Sequence, residues 1–156
     1  MNQFSFPTTI LHGEGALNEL SNRIPWKKLM LVTDAGLTKT GVVDQALAIL
    51  NNKGCEFAVY DEVHSNPIEE DVERGTAFFK KQNCDGLLAL GGGSAMDVSK
   101  AIRFMAVLPA PLEQYSIVNG GSSCIKGSLP PLYAVPTTAG TGSEVGRGAV
   151  ITLRET

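Results

Sequence analysis

The chain has 156 residues, 43% of them hydrophobic, and a formal net charge of −3. That supports one domain that buries about 70% of its unfolded surface, and it leaves no room for two large ones. A mildly acidic balance without a basic run argues against a nucleic-acid partner, no apolar run reaches membrane-spanning length, and Cys55, Cys84 and Cys124 are too few and too scattered for a disulfide framework or a paired-cysteine metal site.

Residues 1–7 lack the basic and apolar regions of a secretory signal, so a cytoplasmic chain is expected. Residues 4–6 and 9–11 are short β-like pieces broken by Pro7 and predict a small edge hairpin. His12 lies at the Gly13–Gly15 turn and reads as a polar loop residue. Ala16, Leu17 and Leu20 then mark a short amphipathic helix.

Residues 28–33 form a nearly continuous apolar run that suits a buried parallel strand. Asp34 falls at its carboxyl end, where open α/β sheets bind ligands. A carboxylate there can accept from a ribose hydroxyl, or it can cap the helix expected from about Leu37. The local sequence leaves both open. An apolar stripe over residues 42–50 predicts a helix, closed by Asn52, Lys53 and Gly54. Residues 55–60 predict the next strand. The loop after it holds His64 and Asn66, and Pro67 restrains Asn66 to an extended backbone. Glu69, Glu70, Asp71 and Glu73 open a helix expected to reach about Gln82, where their charge complements the helix dipole as a solvated start. Val72, Thr76 and Phe79 mark its inward face.

Residues 85–90 predict a third strand, which delivers Gly91-Gly92-Gly93-Ser94. Val98, Ala101, Ile102 and Met105 follow at helical spacing. Three glycines leave the main chain bare, so an anionic group can approach its N–H groups at a helix start. Ser94 is the expected N-cap, with Asp97 three residues on as in a capping box. A tight turn alone rarely needs three glycines, so a phosphate cradle is the favoured reading. Residues 113–128 read as a loop. A fourth apolar run, residues 132–135, precedes Pro136 and a second unusual loop, Thr137-Thr138-Ala139-Gly140-Thr141-Gly142-Ser143-Glu144. Its hydroxyls suit a polar ligand better than a plain linker. Residues 148–153 are expected as a further strand. The alternation of strands and helices is the signature of an α/β fold with a mostly parallel sheet and helices on both faces.

By motif alone the glycine turn is neither the G-x-G-x-x-G fingerprint, since Met96 replaces its third glycine, nor a Walker loop. The residues by themselves thus lead to a nucleotide or other phosphate ligand. The two loops together, residues 91–101 and 136–145, closely resemble the iron-containing (group III) alcohol dehydrogenase family, and residues 32–36 with Asn66-Pro67 extend the likeness over nearly the whole chain. The resemblance implies a Rossmann-like domain of the dehydroquinate synthase type that binds NAD, with NADP left open. It implies that Gly91, Gly92, Gly93 and Ser94 hold the pyrophosphate. Asp34 would lie by the adenosine ribose, where a carboxylate repels a 2′-phosphate. Asn66 would lie near the cofactor, Thr137, Thr138, Thr141 and Ser143 would line it from the other side, and Asp97 would have an orienting or nicotinamide-side role. The family's metal, Fe or Zn, sits in a helical domain whose one Asp and three His ligands match nothing in this sequence. The expectation is therefore a cofactor-binding domain, residues 1–156, of an enzyme acting on a small alcohol or aldehyde, with a homodimer left open. The rival readings are a nucleotide-binding module without catalysis and a relative of the glycerol dehydrogenase or dehydroquinate synthase type.

Overall fold

The computed structural model describes residues 8–23, 27–51 and 54–154. Helix α1 (Ala16–Arg23) leads to β1 (Lys28–Val32), a four-residue turn of helix α2 (Ala35–Thr38) and α3 (Val42–Leu50). Then come β2 (Glu56–Tyr60), α4 (Glu69–Lys81), β3 (Gly86–Gly91), α5 (Gly93–Met105) and β4 (Leu132–Pro136). All strand pairs are parallel, in the order β2-β1-β3-β4. The α/β class expected from the apolar runs is the observed one.

The two central strands have no solvent face. Along β1, Leu29 and Leu31 pack with Val43, Ala46 and Leu50 of α3, while Met30 and Val32 pack with Val72 and Phe79 of α4 and Val98 and Ile102 of α5. Strand β3 divides in the same way, Leu88 and Leu90 to the first side and Leu87 to the second. This period-two split over a continuous apolar run is what a doubly covered parallel strand requires. Asp85 fixes the start of β1 by accepting from the N–H groups of Lys27 and Lys28 at 3.0 and 3.2 Å.

Three expectations need correction, and a fourth falls outside the described residues. Of the N-terminal hairpin, Phe4 to Phe6 lie outside the described residues, and Thr9 to Leu11 form no strand. Asn52 and Lys53, expected to close α3, also lie outside them. Residues 148–153 form no strand, only a single parallel bridge between Ile68 and Thr152. They cross the starts of α4 and α5 and bond there instead, to Asp97, Lys100, Pro67 and Glu69. The loop expected over residues 113–128 contains two short 3-10 turns, Leu112–Tyr115 and Gly121–Cys124.

Helices α4 and α5 meet closely at Gly75. A Cβ there would collide with Ile102 Cδ1, and Ile102 is fully buried, so it has no free space to turn into. Gly75→Ala should therefore destabilise the wild-type chain through overpacking, which typically costs about 1–3 kcal/mol. In an Ile102→Ala background the collision is gone, and Ala gains about 1 kcal/mol of helix propensity over Gly. Urea denaturation of the four variants should show the same substitution changing from harmful to neutral or helpful.

Candidate functional site

The strand order reverses direction between β1 and β3: the chain leaves β1 for β2 on one side and returns through α4 to β3 on the other. A crevice opens outside the carboxyl ends of such a strand pair. Asp34 follows β1 and the glycine turn follows β3, so the topology puts them on its two banks.

Asp34 caps α2, its Oδ1 accepting from Leu37 N–H at 2.9 Å. Its other oxygen is directed to the glycine turn, since a Cβ placed on Gly91 would lie 3.9 Å from Oδ2. One carboxylate thus offers both roles the sequence left open. Gly91 has φ +156°, a conformation that disfavours any side chain, and a Cβ there would press on Ala95 Cβ at 2.9 Å. Gly92 is extended and takes the cap position, so α5 begins at Gly93. The expected cap by Ser94 and its box with Asp97 are therefore not formed. Ser94 is already inside the helix, and its hydroxyl donates instead to Ser65 O at 2.6 Å. The first amides of α5 have no carbonyl a turn earlier to receive them.

The second loop lies directly on this turn. Thr137 N–H donates to Gly91 O at 2.9 Å and continues the β3–β4 ladder by one bond. A Cβ on Gly92 would stand 3.2 Å from Thr138 Oγ1, and one on Gly93 would stand 3.3 Å from Ser143 Oγ and 3.6 Å from Thr141 Cβ. Hydroxyls from one loop thus face bare backbone from the other. The loop is held internally, Thr141 Oγ1 donating to Glu144 Oε2 at 3.1 Å and accepting from Ser143 N–H at 3.3 Å.

Asp97 is buried in α5 with both oxygens engaged: Lys100 Nζ donates to Oδ1 at 3.0 Å and Val150 N–H to Oδ2 at 2.9 Å. Lys100 also donates to Gly148 O at 2.7 Å. The pair therefore orients the chain beyond the hydroxyl loop. Asn66 is exposed at the apex of the loop after β2, one residue from the Ser65 carbonyl that Ser94 holds.

The acidic start of α4 is not a solvated one. Asp71 is fully buried and Glu69 nearly so. Asp71 accepts from the His64 ring at 2.7 Å, Arg74 Nη2 at 3.0 Å, Ile68 N–H at 3.1 Å and His64 N–H at 3.4 Å. Burial pushes its carboxyl up, but the bonds from Ile68 and His64 outweigh that and hold it below its ordinary value. Glu69 accepts from Arg154 N–H at 3.1 Å, while Glu70 and Glu73 each take the Arg154 guanidinium at 2.6 Å. The partners of Asp71 lie within seven residues of it, whereas Arg154 lies more than eighty residues beyond the acids it joins. Burial also pushes the Tyr60 phenol up to about 12, so its hydroxyl stays a donor to Asp71 O at 3.2 Å. It pushes the Cys84 thiol up to about 11 and raises that of Cys55, which leaves both inert.

Among the described residues, no three His, Cys, Asp or Glu side chains gather as a metal would need, so they do not fit the family's metal. No helix among them is long and apolar enough to cross a membrane.

A doubly wound sheet with a glycine turn and a hydroxyl loop at its switch point is an α/β domain of the kind that binds ligands outside the carboxyl ends of its strands. The comparisons narrow the class. The family model for iron-containing alcohol dehydrogenase matches residues 7–156, and the chain belongs to that family. It is 41% identical to choline dehydrogenase of Bacillus subtilis over 97% of this chain and 38% of the relative. It is 38% identical to 1,3-propanediol dehydrogenase of Klebsiella pneumoniae over 100% of this chain and 41% of the relative. Among solved structures, a 1,3-propanediol oxidoreductase superposes with a TM-score of 0.77 at 39% identity, over 86% of this chain and 35% of that one. Sulfoacetaldehyde reductase from Bifidobacterium kashiwanohense, solved in complex with NAD+, gives 0.76 at 27% identity, over 93% and 38%. The chain spans about two fifths of the length of the curated relatives it matches.

Two outcomes follow from this geometry. Gly91→Ala should cost about 1–3 kcal/mol by chemical denaturation, the usual range for a backbone held outside its favoured regions. Asp71 has a lowered folded pKa, so its contribution to stability is present above the ordinary Asp value of about 3.9 and is lost as pH falls through the folded value. The stability gap between wild type and Asp71→Asn should therefore narrow as pH drops from about 7 to 3, measured by urea titration at each pH.

Proposed function

We propose that this chain is the dinucleotide-binding part of an NAD-dependent alcohol dehydrogenase of the iron-containing family. The observation that carries the reading is the approach of Thr138 and Ser143 to Gly92 and Gly93, at 3.2 and 3.3 Å from where side chains would begin. Bare main chain on one side and hydroxyls on the other meet here, and a side chain at either glycine would press on the hydroxyls.

In this reading the turn at Gly91, Gly92 and Gly93, with Ser94, receives the pyrophosphate on the open amides of α5. The free oxygen of Asp34 accepts from the adenosine ribose and disfavours a 2′-phosphate, so NAD is preferred over NADP. Thr137, Thr138, Thr141 and Ser143 cover the opposite side, and Asn66 reaches in from the loop after β2. Asp97 acts indirectly, by orienting residues 148–150. When bound, nicotinamide supplies the hydride acceptor or donor for an alcohol–aldehyde pair. A metal and the groups that hold it would come from the remainder of a longer enzyme. A cytoplasmic location, a homodimer and the absence of nucleic-acid or membrane partners belong to the same proposal.

Calorimetry tests it. The chain should bind NAD weakly, NADP more weakly, and show no alcohol dehydrogenase turnover alone. Gly92→Ala should raise the NAD Kd at least about tenfold, a loss of about 1.4 kcal/mol, while its unfolding midpoint moves little, because φ at Gly92 is −82° and suits any residue. An unchanged Kd counts against the cradle. Metal-dependent turnover by these residues alone refutes the division of labour.

A further inference from the structure

The loop that carries Asn66 begins beyond β2 and ends at α4, and a single buried carboxylate holds both its ends. Asp71 Oδ2 accepts from His64 N–H at 3.4 Å on the way in and from Ile68 N–H at 3.1 Å on the way out. Its Oδ1 takes the His64 ring at 2.7 Å. Between these points the loop is tied twice more, by Ser94 Oγ on Ser65 O at 2.6 Å and by Thr152 N–H on Pro67 O at 2.9 Å. Asn66 is the residue left at the apex, exposed, with its neighbours on both sides held. A five-residue span, His64 to Ile68, closed at both ends on one group has little freedom to redirect its apex.

We propose that Asp71 is a positioning residue for dinucleotide binding. It fixes the 64–68 loop so that Asn66 is presented beside the glycine turn. The proposal rests on the dinucleotide reading above. Arg74 touches the same carboxylate at 3.0 Å, on the oxygen that also takes the His64 ring, and approaches Glu62 at 3.9 Å. It neutralises the buried charge without holding the loop. His64 is more than half exposed, and its ring serves the loop only through Asp71.

The test combines binding with exchange. In the full chain, Asp71→Asn should raise the NAD Kd about tenfold, the scale of one lost charge-assisted bond. Amide exchange should speed up at His64 and Ile68 while the sheet amides keep their protection. Asn66→Ala should weaken binding by itself. Adding Asp71→Asn to it should then cost about twofold or less, because a residue that acts through Asn66 has nothing further to lose. A merely structural role for Asp71 would instead give additive losses. Arg74→Ala leaves the two backbone bonds to Asp71 in place, so it should lower stability but raise the Kd less than Asp71→Asn does.

Wild-type binding with an unchanged Kd in Asp71→Asn, or full additivity with Asn66→Ala, overturns the proposal alone. Absence of NAD binding by the wild-type chain overturns the dinucleotide reading and the proposal with it. Should Asp71→Asn not fold, His64→Ala removes only the ring bond. A rise of about threefold that vanishes in the Asn66→Ala background supports the proposal, and no change overturns it.

Discussion

One main-chain bond sets the geometry of the candidate site. Thr137 N–H donates to Gly91 O at 2.9 Å, one step beyond the last residue pair of β3 and β4. Because the ladder is parallel, both strands deliver their carboxyl ends at the same edge, and this bond stops the second loop from drifting away as it leaves the sheet. Thr138 then falls over Gly92, and Thr141 and Ser143 over Gly93. A shift of one residue in the register would turn every following side chain to the other face. The glycines would then meet open solvent in place of hydroxyls. The bareness of the first loop and the polarity of the second therefore have meaning only together, and the sheet is what brings them together.

The far side of the site depends on ions that are buried or clamped. The chain leaving the hydroxyl loop is caught first by Asp97 and Lys100 on α5, then by the main chain at Pro67 and Glu69, and last by Glu69, Glu70 and Glu73 on Arg154. These contacts tie the starts of α4 and α5 to one strap. The Arg154 pairs are exposed, and such pairs contribute little stability each. The strap gains more from the backbone bonds that no solvent exchange needs to replace. Asp71 differs, because a fully buried carboxylate is tolerable only with its bonds made, so removing any one of them is felt.

Much of the fold was legible in the residues. Continuous apolar runs betray parallel strands covered on both faces, and the five-residue β1 and six-residue β3 fall within one residue of the runs that announced them. The glycine turn and the hydroxyl loop were legible too, since few structures need three glycines or so many small hydroxylated residues in succession. Three features were not. Ser94 has the chemistry of a cap, but Gly92 reaches the cap position first because Gly91 can adopt φ +156° and lets the strand end sooner. Residues 148–153 have the composition of a strand but are held across the helix starts by Asp97, Lys100 and the main chain at Pro67 and Glu69. The acids at 69–73 are good for a helix start in any protein. That two of them are buried here depends on His64 and on Arg154, which is 81 residues or more away along the chain. Local sequence carries no record of the Arg154 pairing, while His64, seven residues from Asp71, stood within reach of a local reading.

These failures have a common direction. Each residue was read for the structure it could form alone, and each was used instead to join two elements: Ser94 joins α5 to the loop after β2, Asp97 joins α5 to the chain after β4, and Asp71 joins α4 to the loop before it. Parallel sheets create this need. Every loop at the carboxyl edge starts from a separate strand, and the ladder relates neighbouring loops only at their first residues, as it does Thr137 and Gly91. A binding edge assembled from four such loops requires cross-ties made by side chains. Among the described residues, polar side chains near the starts of the helices that follow supply several of them. The carboxyl edge of this sheet is thus where helix-start residues leave their local duties, and it is also where the candidate site lies.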